Sequence, residues 1–138
     1  MNPLWPSLGI ALFGVGAAAA ATACSFSDGA EKAGEVATER YTVIYRFAPA
    51  SPAVAEAFKL VGRVCPADGT EFAGKLSANA DMPQHGHGMN YQPRVSLMDE
   101  GEFVAEGFVL HMPGHWRFSF KLADGDHRET LSFEHHAK

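Results

Sequence analysis

Two short segments concentrate the metal-ligating side chains of this chain. They are Asp81-Met82-Pro83-Gln84-His85-Gly86-His87-Gly88-Met89 and His111-Met112-Pro113-Gly114-His115-Trp116, and between them they hold four of the seven histidines and three of the five methionines. Imidazole and thioether are the donors that suit copper, and thioether selects the cuprous ion. Gly86 and Gly88 free the first segment to take positive φ and fold around a point. His85 and His87 are two apart, so in an extended stretch both rings point to one side. Pro83 stiffens the start of the loop. The candidate ligands are therefore Met82, His85, His87 and Met89, with His111, Met112 and His115 as a second group. The expected ion is copper, Cu(I) favoured over Cu(II), since only a His-rich subset would take the oxidised ion. Zinc has histidines here, but no Cys-rich or carboxylate-rich set to go with them.

The same residues have a plainer explanation. A Gly/His-rich loop is also a turn whose imidazoles bond the backbone, and Met82, Met89 and Met112 are also good core caps. His135-His136 near the C-terminus reads as a solvated tail and His127 as a surface residue. No Ser/His/Asp spacing, paired-carboxylate motif or phosphate loop is present, so the chain is not read as an enzyme. The net charge of −5, with no basic cluster, argues against a nucleic-acid partner and against attraction to an anionic membrane surface.

The elements that must position these loops are strands. Tyr41, Val43, Tyr45 and Phe47 alternate with Thr42, Ile44 and Arg46. Phe58–Val64 is taken as a strand, although Ala53–Phe58 has helical composition. Phe72–Ala80 leads into the His/Met loop. Pro93–Met98, Phe103–His111, Trp116–Leu122 and a last strand around Arg128–Phe133 follow, separated by turns at Glu100-Gly101, Pro113-Gly114 and Asp124-Gly125. Trp116, Phe118, Phe120 and Leu122 give the clearest alternation of apolar and polar residues. Seven strands with turns at short, regular spacing predict an all-β fold, a seven-stranded antiparallel Ig-like sandwich. The two His/Met loops both join odd strands to even ones, which places them at the same end.

The N-terminus is read apart from the fold. Residues 1–23 carry no charged side chain, and Leu8–Phe13 and Val15–Ala23 form an apolar, Ala-rich run, the pattern of an export signal. Ala21-Thr22-Ala23-Cys24 is similar to a lipoprotein processing box, in which Cys24 would be lipidated. Cleavage after Ala23 and an uncleaved anchor are the alternatives, the run being about 20 residues long, just enough to cross a bilayer. Residues 1–24 are thus assigned to a signal peptide or anchor, 25–39 to a linker with a weak helical tendency over Glu31–Thr38, and 40–135 to the sandwich. The expected location is periplasmic or otherwise extracytoplasmic, with membrane attachment through a lipid at Cys24 or an N-terminal helix. With Cys24 lipidated, Cys65 is left without a partner and reads as a small buried hydrophobe, or as a soft ligand or redox thiol.

Met82-Pro83-x-His85-x-His87-Gly88-Met89, then Gly101-x-Phe103, then Met112-Pro113-Gly114-x-Trp116, resembles the YtkA-like domain family over residues 40–134. That family consists of small exported Ig-like β domains, and the related FixH-like proteins accompany assembly of copper-containing respiratory oxidases. The resemblance implies a β-sandwich and suggests copper handling. Its core is His87-Gly88-Met89 and the Met112-x-Gly114-x-Trp116 turn, to which His85, His111 and His115 look like additions in this chain. Two functions are therefore expected as alternatives. One is an exported copper chaperone or sequestering protein, whose partner is a copper enzyme or transporter of the cell envelope. The other is a non-metal structural or protein-interaction module of an envelope assembly.

Overall fold

The computed structural model describes residues 22–138. The expected signal or anchor segment lies almost wholly outside the described residues, among which no helix is long and apolar enough to cross a membrane. The described chain forms nine strands: β1 (Gly34–Ala37), β2 (Tyr41–Ala48), β3 (Ala57–Pro66), β4 (Lys75–Met82), β5 (His87–Gly88), β6 (Arg94–Leu97), β7 (Glu102–Val109), β8 (Gly114–Asp124) and β9 (His127–Ala137). One sheet has the order β1-β2-β3-β7-β6 and the other β5-β4-β8-β9. All pairings are antiparallel. The expected two-sheet antiparallel sandwich is what the chain forms, with two strands more than the seven read from its alternation.

The core follows from period-2 patterning. On β8 the inward residues are Trp116, Phe118, Phe120 and Leu122, all buried. Their ladder partners on β4 include the small residues Ala80, opposite Phe118, and Ala78, opposite Phe120. Those alanines leave room for the rings of β8. Phe133 of β9 stacks on Phe118 with ring centroids 5.0 Å apart, and on Tyr45 of the facing sheet at 3.8 Å. Inward-facing Gly62 on β3 has no side chain because the ring of Phe103, its partner on β7, fills that space. The β3–β7 register shifts at Phe58/Lys59, and Gly107 absorbs the shift at φ +94°, as a β-bulge requires.

The two added strands have physical causes. β1 lies in the stretch read as a linker. Its residues favour helix only weakly, and the open edge of β2 offers a full ladder instead, from Gly34 opposite Tyr45 to Ala37 opposite Thr42. A free edge outbids a marginal local preference. β5 is two residues long and pairs His87 with Met82 and Gly88 with Asp81. Such a strand is too short to show any alternation.

The rest of the linker is also part of the fold. Residues 24–32 cross the outer face of the first sheet. There they cover Ile44, which is wholly buried although it points away from the core. Phe26 is 4 % exposed, with the Arg46 guanidinium 4.6 Å over its ring. Arg46 also pairs with Asp28 at 3.1 Å, and Arg63 donates to the Ser25 carbonyl at 2.6 Å. The Ala30 amide and then Arg46 hold the Asp28 carboxyl below its ordinary range. Cys24 is disulfide-bonded to Cys65, with Cα atoms 5.9 Å apart. The expectation of an unpaired Cys65 is thereby corrected: both cysteines are consumed, and none is free among the described residues. A sulfur in this bond has no valence for a thioether, so the disulfide and a lipid are exclusive fates of Cys24.

Candidate metal centre

Three imidazoles gather at one end of the sandwich. β4 ends at Met82, and the chain reverses at once. The amides of His85 and Gly86 both donate to the Met82 carbonyl, at 3.0 and 3.1 Å, with Gly86 at φ +66°. The reversal returns His87 alongside Met82. Because Met82 faces inward, His87 lies on the inner side of the sheet's edge. From the other side comes the β7–β8 connection, which carries His111. The His87 and His111 ring centroids stand 5.2 Å apart, and those of His85 and His87 5.8 Å apart. With metal–nitrogen bonds of about 2.0–2.1 Å, two imidazoles sharing one ion place their ring centres about 4.5–6.3 Å apart. Both separations lie in that range, and His87 is the middle ring. All three rings are exposed.

Trp116 forms the floor. It is fully buried, its indole N–H donates to the Met112 carbonyl at 3.0 Å, and its ring lies edge-on to His111 at 5.3 Å and to His87 at 6.5 Å. The indole bond closes the His111–Gly114 turn, so the position of Trp116 in the core fixes where His111 emerges.

The methionines divide. Met82 is 1 % exposed and belongs to the core. Its methyl carbon faces Gly114, where a Cβ would come within 2.9 Å. Met89 and Met112 are half-buried and pack against the core from the two loops. They neighbour His87 and His111 in the chain, whereas Met82 lies beneath the reversal that presents His85 and His87.

His115 is not part of this group. It alternates with inward Trp116 and so projects from the outer face of β8, where its ring stacks on His136 with centroids 4.5 Å apart. His136 and His135 correct the reading of a solvated tail. β9 runs to Ala137, and His135 turns inward, its ring 5.0 Å from Phe47. The signal for the His115–His136 pairing was present in the sequence. The Asp124-Gly125 hairpin has a two-residue loop that places Asp124 opposite His127, and counting back along that ladder brings His115 opposite His136.

Among the described residues, no three His, Cys, Asp or Glu side chains converge on one point. The imidazoles of His85, His87 and His111 stand in a row, so a metal held there would need thioether sulfur, ring rotation, or both to complete its shell. The loops thus bring together His85, His87 and His111, leave Met89 and Met112 half-buried against the core, and set Met82 and His115 apart. No family model, curated protein or solved structure matches the chain.

Proposed function

We propose that the chain is an extracytoplasmic copper-binding protein that holds Cu(I) between His87 and His111, and carries or sequesters the ion rather than transforming a substrate. The observation that supports this most is the 5.2 Å approach of these two rings from separate connections. His85 supplies a third nitrogen beside His87, and Met89 and Met112 supply the soft donors that favour Cu(I). The exposure of the three rings suits hand-over, because an acceptor's ligands can displace them one at a time. The YtkA-like resemblance points the same way and suggests a copper enzyme or transporter of the cell envelope as the acceptor.

The rival reading, a docking module without metal, has the burial of Met82 and the packing of Met89 and Met112 in its favour. The two separate in a Cu(I) competition titration. The reductant is ascorbate, which keeps copper cuprous and spares the Cys24–Cys65 bond. Tight one-to-one binding that is lost in the His87→Ala/His111→Ala double variant is the expected result. Affinity no greater than that of a lone surface His/Met pair overturns the copper reading.

A further inference from the structure

We propose that His115 and His136 form a second metal site, a cross-strand imidazole pair for a borderline divalent cation, Cu(II) foremost. It lies on the outer face of the second sheet and is separate from the His87–His111 centre.

The two residues are direct ladder partners on β8 and β9. Their rings lie side by side with centroids 4.5 Å apart and planes 14° apart. This is the short end of the range for two imidazoles on one ion, where cis nitrogens are about 3 Å apart. Small rotations about the side-chain torsions bring one nitrogen of each ring to that spacing, with no movement of the strands. Pairing of the strands has already fixed both Cα positions, so the second imidazole binds as an intramolecular ligand at high effective concentration.

Among the described residues, no other side chain hydrogen-bonds these rings. Both are exposed, so burial does not explain the stacking. Among the described residues, the histidine ring held in a side-chain hydrogen bond is that of His127, with Arg40. The neighbouring ladder pair on the same face is Arg117 and Glu134. Arg117 is drawn the other way, bonding both carboxylate oxygens of Asp81 at 3.1 and 2.6 Å. Glu134 lies two residues from His136 on the same face of the sheet. His135 takes no part, because its ring faces the core against Phe47 and Phe118. A tandem His-His tail would chelate through neighbouring residues, and here the strand sends the two rings to opposite faces.

The donor set decides the ion. Two imidazoles, with water filling the remaining positions, suit Cu(II), Ni(II) and Zn(II), and Cu(II) leads that order. Among the described residues, no methionine sits on this face to favour Cu(I). The molecule then has two copper sites of different softness, on opposite faces of β8.

The test is titration of the full chain with Cu(II) chloride in a non-coordinating buffer. It is made in a His87→Gln/His111→Gln background, so that the outcome is independent of the Cu(I) site. One equivalent is expected to bind with nitrogen hyperfine coupling in its electron paramagnetic resonance spectrum. Adding either His115→Gln or His136→Gln should weaken it about 100-fold, whereas His127→Gln should leave it unchanged. Zn(II), which is diamagnetic, should shift the ring resonances of His115 and His136 together. The proposal is overturned if the background protein binds Cu(II) no more tightly than the single-histidine variants, or if Zn(II) moves neither ring.

Discussion

The methyl of Met82 lies in the space that a side chain at Gly114 would occupy: a Cβ there would come within 2.9 Å of it. Through this contact the two His/Met segments, far apart in the chain, pack on one another beneath the imidazole row. Met82 anchors the reversal that presents His85 and His87, and Gly114 closes the turn that presents His111. The relative position of the rings is set below them by close packing.

Gly114→Ala tests that coupling. Gly114 has φ +129°, a conformation an L side chain rarely adopts, and the added methyl meets Met82. Backbone strain of this kind costs about 1–3 kcal/mol. Urea unfolding should show a loss of that size with an unchanged m-value. Cu(I) affinity should fall too, because the turn carrying His111 must shift. A variant that loses stability but binds Cu(I) as before would show the two loops to be mechanically independent.

His87 and His111 should be energetically coupled if they share an ion. Each single alanine variant is expected to weaken Cu(I) at least about tenfold, and the double variant to lose less than the sum, with a coupling of about 1–3 kcal/mol. The buried ring of Trp116 is 5.3 Å from His111. In a Trp5→Phe background it is the sole tryptophan, and its fluorescence should be quenched as the site fills. Strict additivity, with no change in emission, would mean that the rings bind separately.

The fold was legible where burial is one-sided. The Trp116–Leu122 alternation identifies β8 because its polar residues face solvent and its rings face the core. Phe58–Val64 was recoverable as a strand despite its helical flank, since its neighbours could only be strands. What could not be read was anything decided by a free edge or by a distant partner. β1 exists because β2 has an edge to fill, and the 24–32 strap because Ile44 needs cover. The lipoprotein-like context of Cys24 obscured its pairing with Cys65. Within the site, the sequence gathers the candidate ligand types but does not separate Met82 from Met89, because a fully buried thioether and a half-buried one have the same local signature. His115 is separable only through the register of the last hairpin, which the Asp124-Gly125 turn specifies.

The Cys24–Cys65 bond closes a separation of 41 residues, for which chain entropy alone gives about 4 kcal/mol of stabilisation. A Cys24→Ser/Cys65→Ser variant should therefore melt about 10–20 °C lower and expose the Phe26 strap to protease. Intact mass of the protein reads the fate of Cys24 directly. A loss of two hydrogen atoms marks the disulfide, and an added diacylglyceryl group marks the lipid. A lipid-modified product with undiminished stability would show the strap to hold without the bond.

Acid should loosen the sandwich through His135. Burial against the core rings, and secondarily the neighbouring His136, holds the His135 imidazole below its ordinary value of 6.5. The unfolded chain then takes up a proton at a pH where the folded chain does not. Stability is therefore full above about pH 6.5 and declines as the pH falls from there through the lowered folded value. Replacing His135 with Gln removes the titration while keeping a polar side chain beside Phe47. Urea midpoints measured between pH 7.5 and 5 should fall for the parent protein and be flatter for His135→Gln, both sharing the background contributed by the carboxylates and the other histidines. Parallel curves for the two proteins would mean that His135 is protonated as easily in the fold as out of it.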